Sequence, residues 1–495
     1  MNVDWISRAR VLKLRVRNFV GGRYTEESGE AVEKYSPRDG SLLCRFGAGE
    51  QQEVEEAVAV AREAFDDRRW SKLAISQRKD VLHKLASLVE AHAEELALLE
   101  SLDVGKPISD VLRFDVPASI SIIRFNAEAV DKVFGKVFGS DRNSLTYQLR
   151  RPMGVVAAII GWNFPLVLAA TKLGPALAAG NTVVLKPSEL TSLSAARVAE
   201  LAVEAGVPPG VFNVIHGSAA VGGALARHAD VDLITFTGST QTGKKMLVAS
   251  GESNMKRLIL ECGGKAPSIV FDDGPDLEAV ADAVAARAFW NQGEVCTASS
   301  RVLVHEKIKD KFLPLLIARA AALAPTDPLN PGSKFGALVS AQHQQKVLRY
   351  IERGRQEGAE AIYESRATAP FEKGFYVAPV VFDAVKTTHT IAREEIFGPV
   401  VSVMSFRDEA ESIRIANSTI YGLSAIVWTQ DMGRAHRMAQ QVKAGWIVVN
   451  ASGNPVGHSG SAISMGGLKE SGIGVEGGIE GIEAYTSQTA VQYFV

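Results

Sequence analysis

A cysteine on a polar loop is a candidate for covalent chemistry. Cys296 ends the segment Asn-Gln-Gly-Glu-Val-Cys at residues 291–296, between an apolar helical pattern and a strand-like run. A thiol on such a loop can act as a nucleophile, and backbone N–H groups nearby would favour the thiolate. The alternative is a small buried hydrophobic residue, the common role of a single cysteine. The other two cysteines are weaker candidates for a nucleophile, because Cys44 lies in an apolar strand-like run and Cys262 precedes two glycines.

A carboxylate stands in an unusual place at Glu261. It follows the apolar run 258–260 and is separated by one residue from Gly263 and Gly264. A carboxylate next to an apolar strand is costly unless it is paired, solvated or functional. The glycines would allow the close approach of another chain segment or a ligand. The alternative to a functional role is an ion pair with Lys265.

Three loops that follow strand-like runs offer polar groups. The turn Gly-Ser-Thr-Gln-Thr-Gly at 238–243 suits a pyrophosphate at a helix N-terminus, although an ordinary strand-to-helix turn explains it equally well. Lys186 and Glu189 could bond ribose oxygens, or belong to a surface turn. Asn163, in Gly-Trp-Asn-Phe-Pro at 161–165, offers an amide that could donate to an oxyanion, or simply packs at a strand end.

Several other functions lack support in the sequence. The nine histidines include no H-x-x-x-H pair, so we expect no catalytic metal, and the absence of G-x-S-x-G weakens an α/β-hydrolase interpretation. With 54 basic and 56 acidic residues, the chain has no excess charge for binding nucleic acid or an anionic membrane. The longest clean apolar run, 154–162, is too short to span a bilayer.

The cysteine count and the N-terminus bear on location. Three cysteines are an odd, sparse set that argues against a disulfide framework and suits a reducing compartment. The basic N-terminus has no apolar signal region, so we expect a cytoplasmic protein, with a mitochondrial presequence as the alternative. Apolar and basic residues alternate over 11–16, which predicts a strand or an arm.

The elements that position these residues follow an α/β pattern. Strands are predicted at 155–160, 182–185, 211–215 and 232–236, and helices at 166–179 and 195–205 end at Gly180 and Gly206. Strand, helix and strand in alternation predict a doubly wound parallel sheet, whose ligands bind at the carboxyl ends of its strands.

A second α/β region follows, as the length of 495 residues requires two or three domains. It comprises predicted strands at 268–271 and 301–304, helices at 277–289 and 307–323, and a loop at 324–335. The C-terminal residues 483–495 alternate like a strand. An exposed terminal strand needs a partner, and another subunit would supply one.

The order and spacing of these motifs resemble the NAD(P)-dependent aldehyde dehydrogenase superfamily over essentially the whole chain. Within it, residues 103–110 and 260–265 look most like bacterial enzymes acting on ω-amino, ω-guanidino or γ-glutamylamino aldehydes. The six motifs lie at 161–165 (Gly-Trp-Asn-Phe-Pro), 186–189 (Lys-Pro-Ser-Glu), 236–240 (Phe-Thr-Gly-Ser-Thr), 261–265 (Glu-Cys-Gly-Gly-Lys), 291–296 and 394–399 (Glu-Glu-Ile-Phe-Gly-Pro).

The resemblance implies roles for the catalytic residues. Cys296 would attack the aldehyde to form a thiohemiacetal, whose oxyanion Asn163 and the Cys296 backbone N–H would hold. Hydride transfer to NAD would leave a thioester, and Glu261 would act as general base for its hydrolysis to the carboxylic acid. Glu189 would repel a 2′-phosphate, so NAD is favoured, with NADP as an alternative. The same resemblance implies cofactor contacts: Lys186 and Glu189 at the adenosine ribose, Ser239 at the pyrophosphate, Glu395 and Phe397 at the nicotinamide ribose, and also Ile160, Trp162, Ser188, Gly238 and Gly243.

Three positions depart from the family pattern. Residues 464–469 read Ser-Met-Gly-Gly-Leu-Lys, so Met465 replaces an aromatic residue that commonly walls the substrate tunnel. Thr171 stands where many relatives carry Trp at the tunnel mouth. Val475 replaces a frequent Arg. These changes leave the reaction unaffected but weaken the assignment of a substrate.

The resemblance also implies a domain organisation. It places an NAD-binding domain at 1–129 and 148–262, a catalytic α/β domain at 263–464, and a small β oligomerisation arm from 130–147 and 480–495. A homodimer or homotetramer is expected.

Three other activities remain as alternatives. A CoA-acylating aldehyde dehydrogenase is opposed by Glu261, because acylating relatives generally lack the deacylating base. A non-catalytic NAD-binding homologue is opposed by the joint presence of Cys296, Glu261 and Asn163. Thiol-dependent ester hydrolysis is plausible only as a side activity.

Overall fold

The chain folds into two large α/β sheets and a small β sheet. The structure is a computed structural model that describes residues 3–26, 29–140, 142–365, 367–451 and 461–494. One sheet has eight strands, another seven, and a third has three; two further hairpin-like pairs complete the set. The predicted fold class, with two α/β units and a small β arm, is therefore confirmed.

The strands are short and lie mostly in parallel pairs. In chain order they are β1 Phe19–Val20, β2 Arg23–Tyr24, β3 Ala31–Tyr35, β4 Leu42–Gly47, β5 Lys136–Val137, β6 Ser144–Pro152, β7 Val155–Ile159, β8 Thr182–Lys186, β9 Phe212–Val214, β10 Leu233–Thr237, β11 Arg257–Glu261, β12 Pro267–Val270, β13 Arg301–His305, β14 Glu360–Glu364, β15 Val380–Asp383, β16 Val400–Phe406, β17 Tyr421–Gly422, β18 Ser424–Trp428, β19 Trp446–Val449, β20 Leu468–Lys469, β21 Gly472–Ile473 and β22 Thr486–Phe494.

The helices cover the faces of the two large sheets. They are α1 Trp5–Val11, α2 Gln51–Asp66, α3 Ile75–Ala91, α4 Ala93–Val104, α5 Ile108–Asp110, α6 Val116–Ala129, α7 Pro165–Ala179, α8 Leu193–Ala205, α9 Ala219–Arg227, α10 Thr240–Glu252, α11 Leu277–Phe289, α12 Lys309–Ala321, α13 Ala341–Gln356, α14 Thr390–Arg393, α15 Glu409–Ala416, α16 Met432–Gln441 and α17 Gly478–Glu483. Within the described residues, every helix is too short or too polar to cross a membrane.

The eight-stranded sheet is doubly wound. Its order is β2-β1-β9-β8-β7-β10-β11-β21, with β9 through β11 parallel. From β7 the chain proceeds outward to β8 and β9, then returns to the other side of β7 for β10 and β11. This reversal creates a switch point between β7 and β10, where ligands bind in open α/β sheets.

The centre of the sheet is buried on both faces, and its central strand β7 is apolar at every position. Val156 and Ala158 of β7 belong to the core cluster that includes α7 and α8. Val155 and Ala157 belong to the cluster on the opposite face, with α2 and α9. Alternate residues of a strand point to opposite faces, so a continuous apolar run is what a sheet covered by helices on both faces requires.

The seven-stranded sheet repeats this arrangement with the order β14-β15-β16-β13-β12-β18-β19. Its pairs are parallel except for β14 with β15. The helix predicted over 307–323 is divided: a 3-10 turn at Glu306–Ile308 precedes α12, whose bounds are Lys309–Ala321.

The predicted helix ends at two glycines are confirmed. Gly180 and Gly206 follow α7 and α8 with φ of 95° and 109°. A residue with a Cβ is strained in this left-handed region, which is why glycine commonly ends a helix here.

The third sheet joins residues from distant parts of the chain. β22 pairs antiparallel with β6 over nine residues, from Thr486 opposite Pro152 to Phe494 opposite Ser144, and β5 adds a third strand. The predicted C-terminal strand is thus present. The proposed domain boundaries stay a prediction, and residues 1, 2, 27, 28, 141, 366, 452–460 and 495 of those segments lie outside the described part.

The strand predicted as one alternative over 11–16 does not form. Residues 5–11 form α1, and the chain then continues without regular structure until β1. The Asp4 carboxylate caps α1 by accepting from the Ser7 backbone N–H at 3.0 Å, and Trp5 is buried in the core. These contacts fix α1, which overlaps the predicted segment only at Val11.

Candidate active site

A cavity of about 770 Å³ opens at the switch point between β7 and β10. It brings together loops that follow several strands of the eight-stranded sheet and segments of the second sheet. Among the residues predicted from the sequence, it is lined by Cys296, Asn163, Ile160, Trp162, Lys186, Ser188, Glu189, Gly238, Ser239, Glu395 and Phe397.

The loop that carries Cys296 is held in an unusual backbone conformation. Asn291, Gln292 and Gly293 are consecutive left-handed residues, with φ of 49°, 55° and 75°. A Cβ on Gly293 would lie 2.4 Å from the Gly398 carbonyl oxygen, so only glycine fits there. Non-glycine residues in this region cost about 1–3 kcal/mol each and persist only where the surroundings fix them.

Hydrogen bonds tie this loop to Asn163. The Asn163 side-chain amide donates to the Glu294 backbone carbonyl at 2.9 Å, and the Asn291 amide donates to the Asn163 backbone carbonyl at 3.2 Å. An amide nitrogen carries two N–H groups. Asn163 therefore keeps one donor for an oxygen bound in the cavity beside Cys296.

Two glycines let the segment after β11 touch both neighbouring loops. A Cβ on Gly264 would lie 2.2 Å from the Cys296 carbonyl oxygen, and one on Gly263 would lie 2.4 Å from Glu395 Oε2. The Gly264 N–H also donates to Glu395 Oε1 at 2.8 Å. The predicted close approach at these glycines is confirmed.

Glu261 ends β11 and belongs to a buried charged group that the sequence did not reveal. Its Oε1 is buried and accepts no hydrogen bond within the described residues. Burial and the negative charge of Glu476 raise the pKa of Glu261 well above its usual value, while Lys172 opposes the rise. Lys172 Nζ contacts the Glu476 carboxylate. The side chain of Glu261 does not line the cavity, but its neighbours Cys262 and Gly263 do.

The alternative pairing of Glu261 with Lys265 is wrong. Within the described residues, Lys265 Nζ is buried and has no hydrogen-bond partner. Burial and the charge of Arg301 lower the pKa of Lys265 to about 7, against the opposing effect of Glu395. Gly263 and Gly264 separate the two side chains, and Lys265 extends away from the large cavity.

Backbone N–H groups lower the pKa of Cys296, as the sequence led us to expect, but other effects outweigh them. Burial and the nearby carboxylates Glu395 and Glu261 raise the pKa of Cys296 to about 12. The free thiol therefore predominates at neutral pH. Burial likewise raises the pKa of Cys262 to about 12, and Cys44 lies in β4, as its apolar surroundings in the sequence indicated.

One end of the cavity has features suited to an adenosine and a pyrophosphate. Lys186 Nζ lies 3.2 Å from Glu189 Oε2. Ser239 is the N-cap of α10, and its hydroxyl accepts from the Thr242 backbone N–H at 3.3 Å. Because the first backbone N–H groups of a helix attract anions, this N-terminus can bind phosphate oxygens. Gly222 of α9 lines the same wall and leaves room for a flat ring.

The other end lies beside Cys296. Phe397 has a left-handed φ of 61°, and its ring packs edge-on against Trp162 with centroids 5.0 Å apart. His343 Nε2 donates to the Phe397 carbonyl at 2.6 Å. Burial lowers the pKa of His343 to about 4, so its ring is neutral. His343 and Lys346, which both line the cavity, lie in the first two turns of α13, and no motif in the sequence could have identified them.

Gly243 is the one predicted cofactor residue that the cavity does not expose, so its role in binding stays a prediction. It does not line the cavity but lies in the first turns of α10, where a Cβ would be 2.6 Å from Cys262 Sγ. The glycine allows α10 to pack on the end of β11. Separately, no cluster of three His, Cys, Asp or Glu side chains able to hold a metal occurs among the described residues.

The family model of the aldehyde dehydrogenases matches residues 24–491. The chain belongs to the aldehyde dehydrogenase family. The NADP/NAD-dependent aldehyde dehydrogenase PuuC of Escherichia coli is 44% identical over 484 residues, which cover 97% of this chain and 96% of that protein. An indole-3-acetaldehyde dehydrogenase solved with NAD+ has a TM-score of 0.96 and 46% identity over 99% of each chain. A γ-glutamyl-γ-aminobutyraldehyde dehydrogenase from Burkholderia cenocepacia has a TM-score of 0.96 and 45% identity, again over 99% of each chain.

These similarities confirm the family, the enzyme class and the cofactor that the sequence predicted. The protein is an NAD(P)-dependent oxidoreductase that acts on aldehydes. The residues along one wall of the cavity fit a dinucleotide. The N-terminus of α10 can bind phosphate oxygens, Lys186 and Glu189 offer a cation and a carboxylate for hydroxyl groups, and the glycines of α9 leave space.

The contact between Gly264 and Cys296 leads to a prediction. Gly264→Ala places a methyl group against the Cys296 carbonyl, so the loop must move by more than a few tenths of an ångström. Misplacement on this scale should lower the rate of NADH formation by roughly 100-fold. The exposed Gly332→Ala serves as control and should retain full activity. A Gly264→Ala enzyme with the wild-type rate and melting temperature would contradict this account.

Proposed function

We propose that the protein oxidises an aldehyde to the carboxylic acid through a covalent intermediate on Cys296. The observation that supports this is the shared cavity: Cys296, Asn163 and the dinucleotide-binding loops line one space at the switch point. Gly264 holds the Cys296 loop against the segment that follows Glu261. A nucleophile and an oxyanion donor thereby share one end of the cavity, and the Glu261 carboxylate lies behind its wall, two residues before Gly263, close enough to raise the pKa of Cys296.

The dinucleotide would be held along the wall formed by β7, β8 and β10. Lys186 and Glu189 would bond the adenosine ribose, with Ser188 beside them, and the α10 N-terminus at Gly238 and Ser239 would bind the pyrophosphate. Ile160, Trp162, Glu395 and Phe397 would hold the nicotinamide riboside near Cys296. When bound, NAD supplies a pyridinium ring that accepts hydride. The Glu189 carboxylate disfavours a 2′-phosphate, so NAD is the preferred cofactor.

In the first step, Cys296 Sγ bonds to the aldehyde carbon and the carbonyl oxygen gains negative charge. Because the pKa of the thiol is raised to about 12, its proton passes to water in the cavity as the sulfur–carbon bond forms. The free N–H of the Asn163 amide and the Cys296 backbone N–H stabilise the oxyanion. Removing one such donor typically costs about 2.7–4 kcal/mol of transition-state stabilisation. Loss of hydride from this thiohemiacetal leaves a thioester on Cys296.

In the second step, Glu261 removes a proton from water that attacks the thioester. A general base is most effective when its pKa lies near the working pH, and burial together with Glu476 raises the pKa of Glu261 towards that range. Lys172 keeps it from rising further. This charged group supports hydrolysis to the acid, whereas transfer of the acyl group to CoA would make such a base unnecessary.

The proposal is tested by Glu261→Gln. Without the base the thioester should accumulate, so a burst of about one NADH per subunit should precede turnover slowed by roughly 100-fold or more. Stopped-flow absorbance of NADH measures both phases. Glu360→Gln, an exposed change on β14, serves as control and should behave as the wild type. An unchanged steady-state rate would remove Glu261 from the mechanism, and acyl-CoA formation on adding CoA would favour the acylating alternative.

The charges around Glu261 predict the pH dependence. Glu476→Gln removes a negative charge that raises the pKa of Glu261 and leaves Lys172 to lower it. The base acts when ionised, so its rate is lost as pH falls through its pKa, and a lower pKa moves this loss to lower pH. We expect the acid limb of kcat to shift down by about one pH unit. Glu480→Gln is the nearby control; superimposable profiles for the wild type and Glu476→Gln would contradict the assignment.

The substrate class is proposed from α7 and the C-terminal loop. Phe164 and Leu168 line the cavity, and Thr171 follows on the same helical face at spacings of four and three residues. The Met465 N–H donates to the carbonyl of Glu476, whose carboxylate Lys172 contacts. Lys172 follows Thr171 in the chain, so we infer that Thr171 and Met465 border an outer continuation of the cavity, where smaller side chains leave room for a long substrate. With the γ-glutamyl-γ-aminobutyraldehyde dehydrogenase as a relative, we propose aldehydes that carry an amino, guanidino or γ-glutamylamino group at the far end.

Blocking this route with a bulky side chain should lower kcat/KM for long aldehydes much more than for short ones. Thr171→Trp should lower kcat/KM at least tenfold for ω-amino and γ-glutamylamino aldehydes but change it less than twofold for acetaldehyde. Thr171→Val, which keeps the side-chain volume, is the control. The measurement is NADH formation over this panel, with aromatic aldehydes included. Equal losses for long and short aldehydes would show that Thr171 does not border the substrate route.

Assembly and location complete the proposal. β22 is an edge strand of the small sheet, and the neighbouring Phe134, Val137 and Phe494 are exposed apolar residues. A second copy that covers this surface would satisfy both the free edge and the apolar side chains. We propose that the protein forms a homodimer or homotetramer, and sedimentation velocity would distinguish either from a monomer. We also propose that it is located in the cytoplasm.

A further inference from the structure

Two buried cations outside the large cavity have no acidic partner. Lys265 and Arg301 are 2% and 1% exposed and lie at the start of the neighbouring parallel strands β12 and β13. The Arg301 guanidinium donates only to backbone carbonyls, those of Lys265, Ile415 and Ala416, at 2.8–2.9 Å. Burying a charge without a counter-charge is costly. Within the described residues, neither side chain forms a salt bridge that would offset this cost.

A small cavity of about 10 Å³ lies between these side chains. It also touches Ser424, the first residue of β18, and Lys443. Every described residue around it is neutral or basic. Ser424 Oγ and Lys265 Nζ are both buried and both without a hydrogen-bond partner in the described part of the chain. Buried polar atoms are nearly always paired, so two such atoms beside one cavity indicate a missing partner.

The surrounding charges are also positive. Lys469 Nζ donates to the Asn417 and Thr419 carbonyls, at 3.0 and 2.9 Å. Burial and the positive charges of Arg301 and Lys443 lower the pKa of Lys469. The Glu394 and Glu395 carboxylates raise the pKa of Lys265 from a distance. Among the described residues, neither of them forms a salt bridge with Lys265.

We propose that this cavity binds a single small inorganic anion of the size of chloride, between Lys265 Nζ and Ser424 Oγ. The cations exclude a metal ion, and a cavity of about 10 Å³, close to the space that one water requires, is too small for sulfate or phosphate. The single negative charge of the anion offsets one of the two buried positive charges, and the anion links the amino ends of β12, β13 and β18. It thereby stabilises the part of the second sheet that adjoins the Glu394–Glu395 loop.

Bromide replaces chloride and can be located directly. The full-length protein is crystallised without halide and soaked in sodium bromide, and anomalous scattering is recorded at the bromine edge. A peak between Lys265 Nζ and Ser424 Oγ is expected in the wild type and should be lost in Lys265→Met. A soaked crystal with only water density at this position, or no density, would overturn the proposal.

Thermal unfolding provides the second measurement. At equal ionic strength, about 100 mM chloride should raise Tm by roughly 1–2 °C relative to gluconate, which is too large for the cavity. Lys265→Met and Ser424→Ala should lose this difference, while the exposed Lys84→Met should keep it. If Lys265→Met does not fold, Ser424→Ala and the wild-type bromide map still decide the question. An equal Tm in chloride and gluconate would contradict an anion site.

Discussion

The active site depends on one backbone contact, the approach of Gly264 to the carbonyl of Cys296. The segment 262–266 is the only direct link between β11 of the first sheet and β12 of the second, because those strands are consecutive in the chain. Glu261 stands at one end of this link and the Cys296 loop presses against its middle. The absence of a Cβ on Gly264 therefore determines how closely the two α/β units approach each other. It also determines the distance between Glu261 and Cys296.

Desolvation acts on both groups at this junction in the same direction. Burial is the largest cause of the raised pKa of Cys296 and of Glu261, and each carboxylate nearby adds to the effect on the thiol. Burial thus favours the neutral form of each group before substrate arrives. Lys172 counteracts this only at Glu261. Such a site restrains the reactivity of the thiol and makes its activation depend on what enters the cavity.

The sequence predicted those features that are local or periodic. Continuous apolar runs identified β7, β8 and β10, and glycines marked the ends of α7 and α8, because these signals depend on neighbouring residues. It could not predict the Lys172–Glu476 contact, which joins residues 304 positions apart, or the direction of the pKa shift at Cys296, which depends on burial. At Gly243 the sequence left two explanations open, because a turn that binds phosphate and a helix that packs on Cys262 favour the same residue. The alternation at 11–16 misled because a strand also needs a neighbouring strand to pair with, and residues 12–16 have none in the described part of the chain.

The pairing of β6 with β22 has a consequence for synthesis of the chain. The two strands are about 340 residues apart, as for Gln148 and Gln488. At typical translation rates of about 5–20 residues per second, β6 leaves the ribosome roughly 20–70 s before its partner. Throughout that interval its hydrogen-bonding edge is open on a nascent chain whose two large sheets are still being completed. The nine residues of β22 that pair with β6 are therefore added last. A chain whose synthesis ends before them keeps the unpaired edge of β6 exposed, where it can pair with other chains unless a chaperone covers it.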